Sequence, residues 1–161
     1  KIRWVDDSLM HLTLRFFGDI GEETAQELSF QMARIFGGFD PIETGVTGLG
    51  TFLDRKKSPK VVWAGLHPAN QLIALREALD TYPRLPKLPG TNRFFAPHLT
   101  LARVRYLPDK ARFLHDIESG KEMEFGRVRM DRIVLFRSIL SQSGPEYIPL
   151  HEHELTGGQS L

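Results

Sequence analysis

The sequence contains no cysteine among its 161 residues, and this absence excludes two kinds of protein at once. A chain without thiols cannot be stabilised by disulfides, and it cannot use a thiolate as a nucleophile or a metal ligand. Proteins of reducing compartments do not depend on disulfides. We therefore expect a cytoplasmic protein.

Long hydrophobic runs and a strong charge of either sign are also missing. Apolar stretches such as IVLF at 133–136 have the length of a strand core, far below the ~20 residues of a membrane span. The first residues do not show the order of a signal peptide, in which a charged region is followed by an apolar region and then by small residues. We expect no contact with a membrane. A net charge of +1 excludes a general nucleic-acid coat protein, although 14 of the 21 basic residues are arginine, whose planar fork suits phosphate.

Histidine is scarce, with six in the chain, yet two of them occupy the same four-letter word. HLTL stands at residues 11–14 and again at residues 98–101. Polar and apolar residues alternate in each word, which is the pattern of a half-buried strand. The alternation predicts that His11, Thr13 and Arg15 share one face, and that His98 and Thr100 share one face.

The segments after each word are also alike, which indicates an internal duplication. Each word is followed by an amphipathic helix and then by two further strands, with a helix joining the halves. The predicted helices cover 21–36, 69–82 and 110–119, and the later strands cover 44–52, 60–66, 125–138 and 146–155. This order predicts an α+β protein with two antiparallel sheets related by a pseudo-two-fold axis and with helices on their outer faces. Such an axis brings the two HLTL words side by side or face to face.

Two histidines and two threonines brought together can catalyse a displacement at phosphorus. A neutral imidazole accepts a proton from a nucleophile while a protonated imidazole donates one to the leaving group. A threonine two residues further along a strand projects from the same face, about 6–7 Å away. Its hydroxyl can donate a hydrogen bond to a phosphate oxygen that carries negative charge.

The paired words and their surroundings resemble the two-histidine (2H) phosphoesterases, and within them the RNA 2′,3′-cyclic phosphodiesterases, also called 2′-5′ RNA ligases. The similar segments are IRWVDDSLMHLTLRFFGDI, KVVWAGL, FAPHLTLARV and VLFRSILSQSGPEYIPL. The resemblance implies a LigT-like bilobal fold over residues 1–161 with the active-site cleft between the lobes. Family members begin with a further strand and helix, so we expect this chain to be part of a longer protein.

The resemblance also assigns roles to the four polar residues of the two words. His11 corresponds to the general acid that protonates the leaving 3′ oxygen, and His98 to the general base that activates water. Thr13 and Thr100 correspond to the residues that hold the phosphate. The implied reaction converts a 2′,3′-cyclic phosphate into a 2′-phosphomonoester without a metal ion or another cofactor.

Two arginines are candidates for a further phosphate contact. Arg103 matches an arginine of the family's second motif, but strand alternation places it on the face opposite His98 unless a bulge follows Leu101. Arg15 has the alternation that directs it toward His11 and Thr13. The sequence alone leaves both open.

Other residues have weaker claims to a role in the site. Phe94 and Phe95 precede the second word and can stack against a nucleobase, although core packing is the commoner use of phenylalanine. Trp63 reads as a core residue. His151 and His153 have a spacing that can bind a metal, but no third ligand accompanies them, so we expect none.

Two further functions remain open alongside hydrolysis. The same site can join RNA ends through a 2′-5′ linkage, because ligation and hydrolysis share a transition state. A nucleotide- or RNA-binding module without catalysis is the other alternative, although binding alone does not require two proton-transfer groups. In each case the expected partner is RNA or a nucleotide with a 2′,3′-cyclic phosphate end, and the expected state is a monomer without an obligate protein partner.

Overall fold

The computed structural model describes residues 1–83, 95–141 and 144–158. Mixed helices and strands follow one another along these ranges, in an order that begins and ends with a strand. The elements are β1 (Ile2–Trp4), a 3-10 turn (Asp7–Leu9), α1 (Glu22–Phe36), β2 (Ile42–Leu53), β3 (Pro59–His67), α2 (Asn70–Thr81), β4 (His98–Val104), α3 (Lys110–Ser119), β5 (Glu124–Met130), β6 (Arg132–Ser141) and β7 (Gly144–Glu154).

The three helices form where periodicity predicts them, because their ends carry recognisable signals. Glu22 and Glu23 stand in the first turn of α1, where the positive end of the helix dipole favours carboxylates. Asp109 caps α3 by accepting a hydrogen bond of 2.9 Å from the backbone N–H of Arg112. None of the helices in the described ranges is long and apolar enough to cross a membrane.

The strands form two sheets, and the α+β class with antiparallel pairing is confirmed. The larger sheet has five strands in the order β1-β4-β3-β2-β5, and its β1–β4, β4–β3 and β3–β2 pairs are antiparallel. The smaller sheet is the antiparallel hairpin β6–β7. The β2–β3 and β6–β7 pairs join consecutive strands with no helix between them, so the chain reverses direction there, whereas β4 pairs with β1 and β3 across long stretches of sequence.

Packing divides the described residues into two compact units. The first comprises Lys1–Leu14, Glu43–Ile73 and Phe94–Val128, and the second comprises Arg15–Ile42, Ala74–Arg93 and Arg129–Leu161, within the described ranges. Both HLTL words therefore belong to the first unit. They are not distributed one to each unit.

The first unit has a core on one face of the larger sheet. Val62, Ala102 and Val104 are buried there, and Phe113 and Ile117 of α3 pack against them. α3 covers this face, and the side chains on the opposite face of β3 and β4 point away from α3. The two faces are distinguished by strand alternation, since successive side chains point to opposite sides.

The second unit is built around α1 and the smaller sheet. Leu28, Met32 and Phe36 of α1 are buried, and the ring of Phe36 lies 6.5 Å from that of His153 in β7. The Tyr82 hydroxyl donates a hydrogen bond of 2.9 Å to the side chain of Gln31. Burial of this apolar helix face supplies the main stabilisation that packing gives such a unit.

Two predicted strands are wrong in detail. Residues 11–16 do not form a regular strand, because this segment is joined to β4 by a single bridge at Leu12. The predicted strand at 125–138 is interrupted at Asp131, whose carbonyl accepts a hydrogen bond from Leu155. Its first part, β5, joins the larger sheet and its second part, β6, joins the smaller one, so the two halves of the sequence do not each form their own sheet.

Candidate active site

The two HLTL words lie against each other on the larger sheet. Leu12 forms an isolated antiparallel bridge with Leu99, the second residue of β4. On its other side Leu99 is the register partner of Ala64, a fully buried residue of β3. The leucines of the two words therefore belong to the core-facing side of the sheet, and the residues that flank them belong to the opposite side.

The residues next to this bridge stand opposite each other, and in each pair a histidine of one word faces a threonine of the other. Antiparallel register places His11 beside Thr100 and Thr13 beside His98, and alternation directs all four to the face opposite the leucines. We call these four residues the quartet. His11 and Thr13 are exposed, while His98 and Thr100 are partly buried.

An antiparallel bridge has local two-fold symmetry, and the repeated word conforms to it. It relates His11 to His98 and Thr13 to Thr100, so the histidines occupy one diagonal of the quartet and the threonines the other. Neighbouring side chains across strands are about 5 Å apart and those along a strand about 6–7 Å apart, which puts each diagonal at about 8 Å. The two imidazoles therefore lie at opposite ends of one diagonal, with a threonine on either side of it.

Both imidazoles are anchored in the same way. The Nδ1 atom of His11 lies 2.7 Å from the carbonyl oxygen of Leu9, and the Nδ1 atom of His98 lies 2.6 Å from that of Ala96. A carbonyl only accepts, so each Nδ1 carries the hydrogen, and this assigns the tautomer. Nε2 is then a proton acceptor in the neutral ring and a donor in the protonated ring, as an acid–base pair requires.

The carbonyl that anchors His11 is presented by the 3-10 turn. β1 and Leu12 both pair with β4, and the segment between them forms the 3-10 turn. In this turn the Leu9 N–H donates to the Asp6 carbonyl at 2.9 Å. Hydrogen bonds from the side chain and the backbone of Ser8 hold the pKa of the Asp6 carboxyl below its usual range. The DDS stretch at 6–8 therefore has a structural use that the sequence analysis missed, and its signal was an Asp–x–Ser turn.

A bulge in β4 settles on which face Arg103 lies. Val62 is the register partner of Ala102, but Trp63 is the partner of Thr100, so Leu101 is an extra residue without an opposite. The bulge shifts the alternation by one residue. Arg103, the partner of Val61, consequently shares the face of Trp63 and Thr100. The bulge on which a role for Arg103 depends is confirmed.

Arg15 lies in a buried ion network. Its side chain is 3% exposed, and its Nη1 donates to Asp80 Oδ1 at 2.8 Å within the second unit. Asp80 also accepts from Arg76 Nε at 2.6 Å, and the Arg15 guanidinium lies over the Phe17 ring. Burial lowers the pKa of Arg15, and the charge of Asp80 opposes that shift. These contacts make Arg15 part of a buried ion network, and its role at the phosphate stays a prediction.

An aromatic group that sequence reasoning missed surrounds His98. The Phe52 ring meets the imidazole edge to face, with centroids 4.9 Å apart, and the Trp63 ring lies 6.1 Å from it. Phe52 and Trp63 are themselves 5.5 Å apart, and Phe52 is 40% exposed. Trp63 is therefore a neighbour of the site as well as a packing residue. Phe94 lies outside the described residues, and the stacking role of the partly buried Phe95 stays a prediction.

The indole of Trp63 is seated over a glycine of the adjacent strand. Gly50 is the register partner of Trp63, and a Cβ atom built on Gly50 would stand 2.0 Å from the Cζ2 atom of the indole. Any side chain at this position would displace the ring. Glycine is therefore required here by close approach.

The first testable expectation concerns this glycine. Gly50→Ala should lower the free energy of unfolding by about 1–3 kcal/mol, because the methyl group overpacks the indole, and should also change the tryptophan fluorescence. Gly38→Ala is the matched control, since a Cβ on Gly38 meets nothing within 4 Å. Its effect should stay within about 0.5 kcal/mol. Equal unfolding curves for the two variants would contradict the seating of Trp63 on Gly50.

The residues considered for a metal do not gather into a site in the described ranges. No group of three or more histidine, aspartate or glutamate side chains there is arranged to hold a metal ion. His151 and His153 are paired with Leu135 and Ile133 across the smaller sheet. The quartet itself offers only two imidazoles and two hydroxyls, a set suited to proton transfer and to hydrogen bonding of an anion.

Comparison with known proteins gives a consistent result. The sequence profile described as the 2′-5′ RNA ligase superfamily matches residues 5–140. An RNA 2′,3′-cyclic phosphodiesterase of Thermotoga maritima is 34% identical over 156 residues, which cover 96% of this chain and 80% of that protein. A protein of the same description from Aeropyrum pernix is 33% identical, over 94% of this chain and 85% of its own length.

Solved structures show the same relationship. A protein of Thermus thermophilus superposes with a TM-score of 0.77 at 25% identity, covering 99% of this chain and 84% of that one. Escherichia coli LigT without ligand gives a TM-score of 0.70 at 27% identity, covering 96% and 80%. LigT complexed with 3′-AMP gives 0.67 at 25% identity with the same coverage. The LigT-type fold predicted from the sequence is confirmed.

Proposed function

This chain belongs to the 2′-5′ RNA ligase superfamily, and on that premise we propose that it hydrolyses 2′,3′-cyclic phosphate ends of RNA. The observation that carries the proposal is the antiparallel bridge between Leu12 and Leu99. It brings two identically anchored histidines and two threonines onto one face. The names of the relatives supply the substrate class, and the quartet supplies a chemical means of acting on it.

The diagonal of the quartet supports an in-line displacement with one histidine on each side of phosphorus. His98 Nε2, neutral, accepts a proton from water as the water oxygen bonds to phosphorus. The bond from phosphorus to the 3′ oxygen breaks, and that oxygen takes the proton of His11 Nε2. The product is a 2′-phosphomonoester with a free 3′ hydroxyl. His98 ends protonated and His11 neutral, so exchange of one proton with solvent restores both.

The other diagonal supports the charge on the phosphate. The hydroxyls of Thr13 and Thr100 donate to the two non-bridging oxygens, where negative charge is greatest in the transition state. Arg103 enters from the adjacent row of the same face and adds a positive charge on the side of Thr100. The guanidinium fork can bind one phosphate oxygen pair in a fixed geometry. No step of this scheme requires a metal ion.

The Phe52 and Trp63 rings support the assignment of His98 as a positioned base. Edge-to-face contact restricts rotation of the imidazole, and its Nδ1 is already held by Ala96. The ring therefore presents Nε2 in a fixed direction before substrate arrives. Preorganisation of this kind lowers the cost of reaching the transition state.

Ligation of RNA ends is the second candidate, favoured by the description of the matching superfamily. In that reaction the hydroxyl of a second RNA end replaces water as the nucleophile, and the same histidines exchange the same protons. Binding without catalysis remains the third candidate. Both anchored imidazoles weigh against it, because neutral hydrogen-bond donors would suffice to hold a nucleotide.

The partner and location follow from the same proposal. The partner is RNA or a nucleotide carrying a cyclic phosphate, and the chain acts as a monomer without an obligate protein partner. A cytoplasmic location agrees with the absence of cysteine and with RNA as the substrate.

A substrate panel tests the proposal. We expect hydrolysis of an RNA oligonucleotide with a 2′,3′-cyclic end and a product phosphate on the 2′ oxygen only, identified by ³¹P NMR. A 2′,3′-cyclic mononucleotide and ADP-ribose 1″,2″-cyclic phosphate complete the panel, and a pair of RNA ends without nucleotide cofactor tests ligation. EDTA should leave every rate unchanged. Tight binding with no turnover of any cyclic phosphate would instead establish the binding module.

A further inference from the structure

Three arginines extend the quartet face along β1 and β4. Arg3 is the register partner of Arg103, and Arg105 continues the same ladder through its N–H, which donates to the Lys1 carbonyl at 2.9 Å. All three residues are exposed. We call Arg3, Arg103 and Arg105 the basic strip.

Alternation places the basic strip on the same face as the quartet. The bulge at Leu101 directs Arg103 to the face of Thr100. Arg103 and Arg105 flank Val104, which is buried on the opposite, α3-covered face, so Arg105 shares the face of Arg103. Arg3 stands directly across from Arg103 in the antiparallel pair and therefore points the same way.

The strip places positive charges directly opposite each other, at Arg3 and Arg103. Like charges directly opposite each other in a sheet repel and destabilise the pair. Among the residues that the structure describes, Arg103 and Arg105 make no ion pair with a carboxylate. Arg103 and Arg105 stand in successive rows on one strand face with no acidic neighbour in the ladder, and such a pair of guanidinium groups favours a bound anion.

The distance between the strip and the quartet indicates which anion the arginines bind. Successive rows along a strand are about 6–7 Å apart, so Arg103 lies one row beyond the pair His11 and Thr100, and Arg105 lies two rows beyond. This repeat is of the same order as the spacing between consecutive phosphates in a single nucleic-acid strand. The row of Arg3 and Arg103 can therefore contact one phosphate, and Arg105 in the next row can contact the adjacent one.

We propose that Arg3 and Arg105, with Arg103, bind the internucleotide phosphates that precede the terminal cyclic phosphate. The strip makes the enzyme select an RNA chain over a cyclic mononucleotide. This inference rests on the proposed function, because it takes the quartet as the position of the terminal phosphate. Arginine suits the task since its planar fork can bind two oxygens of one phosphate.

Two substrates that share one terminal nucleotide test the strip. The first is a 2′,3′-cyclic mononucleotide, and the second is a hexanucleotide ending in the same cyclic nucleotide. Arg3→Gln and Arg105→Gln should each lower the ratio of kcat/KM for the hexanucleotide to that for the mononucleotide by about 5- to 30-fold. Arg112→Gln is the control, because Arg112 is an exposed residue of α3, which covers the other face of the sheet. It loses the same charge and should leave the ratio as in the wild type.

Salt dependence supplies a second readout. The affinity for a fluorescein-labelled hexanucleotide with a 2′-phosphate end, followed by anisotropy, should fall with salt in the wild type. Each strip variant should reduce the slope of log affinity against log salt by about 0.7, the value for one phosphate contact on a single strand. An unchanged ratio together with an unchanged slope overturns the inference. An equal loss on both substrates also overturns it, because the arginines would then act on the terminal phosphate.

Failure of the proposed function is distinguishable from failure of the strip. A wild-type protein that hydrolyses neither substrate contradicts the cyclic phosphodiesterase proposal, and the anisotropy measurement still reports on Arg3 and Arg105. A wild-type protein that hydrolyses both substrates with equal kcat/KM supports the quartet and overturns the strip.

Discussion

Replacing His11 or His98 by alanine should lower kcat for a cyclic-phosphate oligonucleotide by about 10²- to 10⁴-fold, because each replacement removes one partner of the acid–base pair. The loss should appear in kcat with little change in KM, since proton transfer stabilises the transition state and the threonines still hold the phosphate. Single-turnover kinetics of the two variants measure it. The double variant should lose little more than the more damaged single variant, because the two histidines act in one step.

His115→Ala is the matched control for these variants. His115 is an exposed residue of α3, where its side chain is 81% accessible. Its removal should leave kcat within a factor of two or so of the wild type, as for surface changes away from a site. Near-wild-type turnover in either the His11 or the His98 variant would contradict the mechanism. A bell-shaped dependence of kcat/KM on pH should accompany the wild-type activity, with both limbs belonging to the pair of histidines.

Replacing Asp80 by alanine should be the most destabilising single substitution considered for this chain. Asp80 neutralises two arginines, and one of them, Arg15, has a side chain that is only 3% exposed. Removing one partner of a buried ion pair leaves an uncompensated charge, at a typical cost of 3–5 kcal/mol. Asp80 is itself 22% exposed, so solvent screens part of the interaction, and we expect a loss of about 2–4 kcal/mol in the free energy of unfolding.

Asp116→Ala controls for the loss of an aspartate from a helix. Asp116 lies in α3 with a side chain that is 67% exposed, and its nearest ion-pair partner is His115 at 3.8 Å. An exposed pair of this kind contributes at most about 1 kcal/mol. Urea unfolding curves of the two variants provide the comparison. If Asp80→Ala unfolds at the same urea concentration as Asp116→Ala, Arg15 is not a buried structural cation.

The secondary structure was largely predictable because local patterns decide it. Leu28, Met32 and Ile35 recur at helical spacing, and they are buried in α1 as that spacing predicts. The first HLTL word misled the strand prediction because its alternation matches that of β4. Alternation shows which side chains share a face, but regular strand structure also requires a ladder of backbone hydrogen bonds. Residues 11–16 have only one bridge to such a ladder.

The arginines illustrate what alternation alone cannot decide. Counting from His98, alternation placed Arg103 on the wrong face. Leu101 has no register partner in β3, and this bulge puts Arg103 on the face of His98 and Thr100. Counting from His11, alternation favoured Arg15, but it could not reveal the ion pair that Arg15 forms with Asp80, 65 residues later in the chain. Bulges and long-range ion pairs depend on which strand or helix becomes the neighbour. That information is distributed over the whole chain.

The sequence by itself determined the chemistry available to this protein: two histidines and two threonines in repeated words, arginine as the main cation, and no thiol. It determined the α+β class as well, because periodicity and helix-end signals are local. Only the tertiary structure decided that the two words pair with each other antiparallel in one compact unit. Because the two words run antiparallel, a local two-fold axis relates His11 to His98 and Thr13 to Thr100. The histidines therefore lie on one diagonal of the quartet and the threonines on the other. The repetition identified the residues, and the bridge between Leu12 and Leu99 brings them together on one face.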